Sequence, residues 1–207
     1  MPEEARRRTR TNDPEGLRQK ILDVAEAAFQ EKGYHATSLG DLMRAAGVTG
    51  GALHHHFPTK KAIGLAVISE RVAAAVEETW IRPVSTASSA RDGVRNVFAM
   101  IADELDAQGF VRGCPLNNLA HELSLADSDF RAALERIFAR WRDSIADKAR
   151  SDRDGGNSDG ATDPDGFAAL TVAIYSGAMS MAKTAQDASM LRVCAEGFLE
   201  VRPRSPT

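Results

Sequence analysis

The sequence has few cysteine and aromatic residues and no long apolar run. Only two of its 207 residues are cysteines, Cys114 and Cys194, so a disulfide-stapled secreted fold is not expected. No apolar stretch approaches the roughly 18 residues that a membrane helix needs. Met1 is followed by charged residues rather than by the apolar segment of a secretory signal. We therefore expect a reduced cytoplasmic protein without a membrane segment.

Sequence signatures of catalysis are also missing. The chain has no phosphate-cradling GxxxxGK[ST] motif, no HExxH zinc motif, no paired CxxC motifs and no GxSxG nucleophile elbow. We therefore predict a protein that is not an enzyme and that holds no cofactor and no metal.

Charge is distributed unevenly along the chain. The net charge is −3, but residues 1–61 carry ten Lys and Arg against eight Asp and Glu. The whole chain has 26 Lys and Arg and 29 Asp and Glu, so residues 62–207 carry 16 basic against 21 acidic residues. A mildly basic head on an acidic body is a weak indication that the head binds a polyanion.

Apolar residues recur with helical spacing through most of the sequence, and no strand pattern of any strength is present. We therefore predict an all-α protein. A helix from about Glu15 to Lys32 precedes two short helices, the first of which fits a capping box at Ser38 and Asp41. A long fourth helix follows Pro58 and ends at about Trp80. Loops are predicted at 82–90 and 151–166, and further helices carry the chain to about Val201.

The predicted organisation has four parts. They are a mobile basic arm at 1–14, a helix-turn-helix domain at 15–60, an α-helical ligand-binding and dimerisation domain at 61–201, and a tail at 202–207. The arm is either a solubilising segment or an element that contacts DNA phosphates or a minor groove.

The stretch TSLGDLMRAAGVTGGALHHHF, from Thr37 to Phe57, predicts two short helices around a glycine-containing corner. The second begins with Gly50 and Gly51, although glycine is a poor helix former. Glycines at this point allow backbone to lie close to DNA. The pattern favours a helix-turn-helix unit with this second helix as the recognition helix.

The sequence from about Leu17 to Ile68 closely resembles the DNA-binding domain of TetR/AcrR-type transcriptional regulators. The motifs FQEKGYHATS, AAGV and GALHHHFPTKKAI carry the resemblance. It implies a DNA-binding, ligand-responsive regulator, in most cases a homodimeric repressor, with double-stranded operator DNA, a small-molecule effector and a second copy of itself as partners. An all-α small-molecule binding protein without DNA function is the alternative.

The resemblance also implies which residues contact DNA. These residues are Thr37, Thr49, Gly50, Gly51, Ala52, His54, His56 and Lys60. His54 stands where the family usually has Tyr, and Gly40 stands where many members have a long side chain, so base readout is expected to rest on few side chains.

Three consecutive histidines, His54 to His56, end the recognition helix. Neighbouring residues on a helix point about 100° apart, so the three rings cannot bind one metal ion together. Histidine gains charge as the pH falls towards 6, and we expect DNA binding at matched salt to be tighter at pH 6 than at pH 8.

The stretch from Gly109 to Arg150 resembles the body of one subset of the same regulators. Cys114 precedes a predicted helix N-terminus, where a thiol pKa can be lowered. It is either a redox or electrophile sensor or, more often for a free cysteine, a small buried apolar residue.

Candidate effector-binding residues lie on the apolar faces of the body helices and on one polar stretch. They are Phe98, Ile101, Leu105, Phe110, Cys114, Asn117, Asn118, His121, Phe138, Trp141, Tyr175 and Met179. Most would be core residues if no ligand binds, and the three polar ones need partners that a ligand could supply.

A dimer face is expected on the helices at 129–148 and 167–183. Small residues of the second helix, Ala173, Gly177, Ser180 and Ala182, would allow close approach of helices across a two-fold axis. Ordinary packing within one chain is the alternative.

Overall fold

The computed structural model describes residues 13–156 and 163–200, with backbone only for 198–200. In this part of the chain, all regular secondary structure is helical, which confirms the all-α prediction. The helices are α1 (Pro14–Lys32), α2 (Leu39–Ala46), α3 (Gly50–His56), α4 (60–86), α5 (Ala90–Gln108), α6 (Pro115–Leu123), α7 (Ser128–Asp154), α8 (Pro164–Ala185) and α9 (Ser189–Glu200). The predicted tail and all but the last two residues of the predicted arm lie outside the described residues.

Local side-chain chemistry determines where the first helices begin and end. Ser38 and Asp41 form the predicted capping box, in which each side chain accepts the backbone N–H of the other residue. Gly47 ends α2 with a φ of 65°, a left-handed conformation that favours glycine. The side chain of Thr49 then accepts the N–H of Ala52 and caps α3. These caps hold the corner between the two short helices.

Helix α4 is longer than predicted. It continues past Trp80 to Thr86, so the predicted loop at 82–90 shrinks to 87–89. Two of its segments, Val67–Val72 and Glu77–Ile81, have the wider π-helical turn. The second lies just before Pro83, where a regular α-helix would clash with the proline ring. The wider turn explains how α4 continues past Pro83, although a proline in the sequence predicts the end of a helix.

The predicted loop at 151–166 is also shorter. Helix α7 runs to Asp154 and α8 begins at Pro164. The last turn of α7 is held by Asp152, a buried carboxylate that accepts the N–H of Ala90 at 2.6 Å and is paired with Lys148 at 2.7 Å. Asp152 therefore caps the first turn of α5 from a neighbouring helix, a contact that local sequence does not indicate.

A single continuous apolar core joins the head, α1–α3, to the body, α5–α9. Its largest fully buried side chains include Leu53 in the head and Phe98 and Trp141 in the body. Helix α4 passes between the two parts and contributes to both. Among the described residues, no helix combines the length and the apolar character that crossing a membrane requires.

Candidate nucleic-acid interface and body cavity

Helix α3 is anchored to the head by its C-terminal half. Leu53 is completely buried, and Phe57, just after the helix, is nearly so. The guanidinium of Arg18 lies 5.3 Å from the centre of the Phe57 ring and holds it against α1. Because the anchor is at one end, the first turn of α3 is left at the surface.

The glycines of this first turn are not needed for packing within the chain. A Cβ atom at Gly51 would meet no other atom within 4 Å, and one at Gly50 would lie 3.6 Å from Sδ of Met43, an ordinary contact. Neither residue has a positive φ. The open backbone therefore presents a surface that another molecule can approach closely.

The three histidines that follow differ in exposure. His54 and His55 are exposed and His56 is half-buried. Nδ1 of His54 lies 3.3 Å from the carbonyl oxygen of Pro58, and the rings of His55 and His56 are 5.2 Å apart. Within residues 13–156 and 163–200, no group of three or more His, Cys, Asp or Glu side chains is placed to hold a metal ion.

The position of Thr37 requires a correction. The side chain is buried, and its hydroxyl donates to the carbonyl oxygen of Gly33 at 2.8 Å. Its backbone N–H donates to the carbonyl oxygen of Tyr34 at 3.2 Å. With both donors directed into the protein, the predicted phosphate contact would require these bonds to break. Thr37 is instead a structural residue of the turn between α1 and α2.

Lys60 lies at the start of α4, beside the same turn. Its Nζ is 4.3 Å from the centre of the Tyr34 ring and 3.4 Å from the carbonyl oxygen of His35. Burial lowers its pKa from the usual value, while the Glu122 carboxylate partly opposes this. Lys61, in contrast, is paired with Asp127 at 2.6 Å and Asp129 at 2.7 Å, so its charge is largely neutralised.

A small cavity of about 50 Å³ lies in the body beside α4. It brings together three of the predicted effector residues, Cys114, Trp141 and Tyr175, with two neighbours of Cys114, Pro115 and Leu116. The other lining residues are Val72, Ala75, Val76, Thr79 and Trp80. The sequence did not identify these α4 residues, because an apolar stripe on a long helix is equally typical of core residues and of cavity-lining residues. The large ring of Trp80 on that stripe was the one feature that could have indicated a cavity.

Aromatic rings form much of the cavity wall. The Trp80 ring lies 4.8 Å from that of Tyr175 and 4.9 Å from that of Trp141, measured between ring centres. Two further predicted residues support this cluster from behind, Phe98 against Trp80 and Tyr175, and Phe138 stacked on Trp141. The rings therefore form one packed aromatic cluster.

The remaining predicted effector residues do not line this cavity. Ile101 and Met179 are buried in the core, and Leu105 packs against it. Phe110 and His121 are exposed. Asn118 is engaged by Gln30, Lys183 and the carbonyl oxygen of Arg112. These residues serve packing or surface contacts rather than the cavity.

Two buried donors of the body have no acceptor among the described residues. They are Nε1 of Trp141 and Nδ2 of Asn117, whose Oδ1 accepts the hydroxyl of Ser176 at 3.2 Å. Trp141 lines the cavity, and Asn117 follows the lining residue Leu116. A buried donor without an acceptor costs free energy of folding, so these two groups are the least well satisfied polar atoms of the described body.

The thiol of Cys114 is not activated. Burial raises its pKa above the usual value, although the backbone N–H groups of Asn117 and Leu116 and the Tyr175 hydroxyl act in the opposite direction. The pKa of Tyr175 is also raised, again mainly by burial. Of the two interpretations of Cys114, these shifts favour the buried apolar residue, because a reactive cysteine needs an accessible thiolate.

A larger depression of about 410 Å³ runs between α4 and α7. Its wall includes Glu77 and the exposed cations Arg136 and Arg140, and Arg140 is paired with Glu77 at 2.7 Å. Most of the other residues that line this groove are apolar, as in the small cavity, and the two exposed cations distinguish the groove from that cavity.

The far end of α6 contacts the head directly. One oxygen of the Glu122 carboxylate accepts the N–H of Tyr34 at 2.8 Å, and the other accepts that of His35 at 2.6 Å. The Tyr34 ring also packs against Phe130 of α7, with ring centres 5.1 Å apart. Helix α6 thus connects the cavity, at Leu116, with the turn that precedes α2, and sequence patterns did not indicate Glu122.

Comparisons with known proteins give one consistent result. Residues 21–67 match the family described as bacterial regulatory proteins, tetR family, and residues 90–197 match the C-terminal domain of LmrA/YxaF-like transcriptional regulators. The chain is 30% identical to an uncharacterized HTH-type transcriptional regulator in the lacX 3' region of Lactococcus lactis, over 63% of this chain and 66% of that protein. It is also 30% identical to the HTH-type transcriptional repressor DhaR of Mycobacterium sp., over 60% of this chain and 61% of DhaR.

The chain thus spans just under two thirds of the length of these two relatives. A crystal structure of a regulatory protein TetR from Rhodobacter sphaeroides superposes with a TM-score of 0.77 at 27% identity, covering 88% of this chain and 96% of that one.

Proposed function

Because the chain belongs to the TetR family of bacterial transcriptional regulators, we propose that it is a homodimeric repressor that a small molecule releases from its operator. In this proposal residues 15–60 form the DNA-binding domain, and residues 61–201 form the effector-binding and dimerisation domain. The repressor character is carried over from relatives such as DhaR.

The observation that carries the proposal is the exposed first turn of α3. Gly50 and Gly51 have free space where side chains would be, and Leu53 fixes the helix from behind. A helix presented in this way can enter a major groove with its first residues near base edges. We propose Thr49, Gly50, Gly51 and Ala52 as the base-proximal residues, with His54, His56 and Lys60 on phosphates.

The homodimer is supported by an exposed stripe along α8. Leu170 is 61% exposed, Met181 is 53% exposed, and Ile174 lies between them at 36%. The small residues Ala173, Gly177 and Ser180 are exposed on the same helix. Ala182, which was expected in this face, is completely buried within the chain and is excluded from it.

The effector site that we propose is the small cavity. Its walls come from α4, α6, α7 and α8, so a ligand there would contact both the helix that enters the head and the helix that carries Glu122. A shift of either helix would change the distance between the two α3 helices of a dimer. That distance must match half-sites about 34–36 Å apart, or a multiple of this spacing.

The decisive experiment is binding of the full chain to a duplex from the region upstream of its own coding sequence, with unrelated DNA as competitor. We expect a specific complex. Lys60→Ala should weaken binding to all sequences alike and lower the salt dependence by about one phosphate contact. Gly51→Ala should change which sequence is preferred.

Arg140→Ala is the matched control, because it removes an exposed cation from the body rather than the head. It should leave DNA binding unchanged. Failure of the wild-type chain to prefer any duplex from this region would overturn the proposal and leave an all-α small-molecule binding protein.

A further inference from the structure

We infer that the groove between α4 and α7 is a ligand site of its own, which takes an alkyl carboxylate with its tail on the apolar floor and its charged group at Arg136. The groove is distinct from the proposed effector cavity, because Val76 is the only described residue that lines both spaces. The inference concerns binding alone and does not rest on the proposed function.

The groove is present because small side chains lie where α4 and α7 pass each other. Ala73 and Ala74 of α4 and Ala133 of α7 leave a space of about 410 Å³ unfilled. Small-molecule sites commonly have volumes of roughly 300–1,000 Å³. Ala74, Arg136 and Arg140 are exposed, so the groove is open to solvent and a ligand can enter it without any rearrangement of the chain.

The accessible part of the floor is apolar. Ile81 is half-buried, Ile137 is 8% exposed and Val76 is 6% exposed. Covering these atoms with an alkyl tail removes apolar surface from water, which is favourable in proportion to the area covered. From Ala133 to Arg140 the groove follows α7 for about 10 Å, at a rise of 1.5 Å per residue. An extended tail of about eight carbons spans this length, at roughly 1.2 Å per bond.

The charged rim determines the sign of the ligand. Arg136 and Arg140 lie one helical turn apart on α7 and both line the groove, and like charges at this spacing repel each other. Glu77 is the only carboxylate among the described lining residues, and it is paired with Arg140 at 2.7 Å. Arg136 forms no hydrogen bond or ion pair with any residue that the structure describes. The groove thus has one guanidinium in excess, and a carboxylate can pair with it through two hydrogen bonds.

The chain places separate reporters in the two spaces. Ile81 and Ile137 line the groove, whereas Trp80 and Trp141 line the small cavity. We expect full-length protein titrated with octanoate, below the concentration at which it forms micelles, to show saturable shifts of the Ile81 and Ile137 methyl signals. Intermolecular NOEs should join these methyl groups to the octanoate tail. The two indole N–H signals and the methyl signal of Ile21, which lies in the head, should not respond.

Two further probes test the charge and the tail separately. Octylammonium has the same tail with the opposite charge and should bind about fivefold more weakly than octanoate, which is the scale of one exposed ion pair. Hexanoate lacks two methylene groups and should bind about fourfold more weakly, because each methylene is only partly buried and contributes about twofold.

Arg136→Glu should reverse the preference, so that octylammonium binds more tightly than octanoate. Arg142→Ala is the matched control, because Arg142 lies on the same helix outside the groove and is paired with Glu135. It should keep the wild-type preference. A reversal of preference requires a folded site, and the comparison of octanoate with octylammonium in the wild type decides the matter if Arg136→Glu does not fold.

Three results would overturn the inference. The first is equal binding of octanoate and octylammonium, and the second is NOEs from the octanoate tail to the indole groups of the small cavity rather than to Ile81 and Ile137. The third is attachment to phosphatidylglycerol vesicles without saturable binding of free octanoate, which would mean that the two arginines contact a membrane surface. Octanoate bound in the groove of a protein that ignores operator DNA would leave this site standing and overturn the proposed function.

Discussion

At the scale of single residues, a substitution of Thr37 distinguishes a structural role from contact with DNA. Its hydroxyl donates to the carbonyl oxygens of Gly33 at 2.8 Å and Ala28 at 3.4 Å, inside the turn between α1 and α2. Thr37→Val keeps the shape and removes this donor. We expect the free energy of unfolding, measured with urea, to fall by about 1 kcal/mol.

The same variant should keep the salt dependence of DNA binding. If Thr37→Val instead released about one fewer counterion, as a lost phosphate contact does, the side chain would have to reach DNA after all. Lys60→Ala, measured alongside, shows the size of the change that such a loss produces.

The capping box of α2 makes a prediction about pH. The pKa of Asp41 is lowered to about 2, first by the Ser38 hydroxyl, which donates at 2.6 Å, then by the Ser38 backbone N–H and by Arg44. In the unfolded chain the pKa of Asp is about 3.9. Because the folded value is the lower one, this stabilisation is present above about pH 3.9 and is lost as the pH falls towards 2.

Ser38→Ala removes the largest of these causes. We expect an NMR titration to show the pKa of Asp41 rising towards its usual value, and the Tm at neutral pH to fall by roughly 2–5 °C. Ser69→Ala is the control, since the Ser69 hydroxyl donates only to a carbonyl oxygen in its own helix. An unchanged pKa of Asp41 in Ser38→Ala would show that the Ser38 hydroxyl does not hold the carboxylate.

At the scale of secondary-structure elements, α6 joins the cavity to the head through Glu122. Its two carboxylate oxygens accept the N–H groups of Tyr34 and His35. We expect Glu122→Ala to accelerate hydrogen exchange at these two amides by about ten- to a hundredfold, since hydrogen bonds to charged groups are the stronger ones. Glu122→Gln keeps an acceptor oxygen and should have a smaller effect.

Glu104→Ala provides the comparison, because Glu104 accepts a hydrogen bond from Gln108 of its own helix and lies away from this junction. Exchange at Tyr34 and His35 that is equally slow in wild type and Glu122→Ala would mean that α6 does not hold the turn.

The sequence predicts an element well when the residues that form it are close together in the chain, and poorly when they are far apart in the chain. The capping box at Ser38 and the corner at Gly47 depend on neighbours in sequence, and the structure places both as expected. The extra turn of α7 depends on Asp152 contacting Ala90, 62 residues away. Such a contact leaves no local pattern, so the loop at 151–166 was predicted too long.

The same distinction applies to the site. The exposed turn at Gly50 and Gly51 follows from a local motif, and the structure leaves it open as that motif requires. The cavity assembles Trp80, Trp141 and Tyr175 from three helices. Apolar periodicity identifies each residue as buried, but it does not say which buried residues surround a space or which donor lacks an acceptor.

At the scale of the whole molecule, the proposed homodimer depends on the exposed stripe of α8. A carboxylate at Ile174, in the middle of the stripe, would be buried without a counter-charge in a face shared by two chains. We therefore expect Ile174→Asp to convert the dimer to a monomer in sedimentation velocity. A monomer reads only one half-site, so operator affinity should fall by at least about a hundredfold.

Leu125→Asp is the matched control. Leu125 is 97% exposed and lies outside α8, between α6 and α7, so the same charge there should leave the protein dimeric and bound to DNA. Helical circular dichroism of both variants should equal that of the wild type, because neither residue belongs to the core. A dimer that survives Ile174→Asp would show that the two chains meet through another face, and the distance between their α3 helices would then have to be set by contacts outside α8.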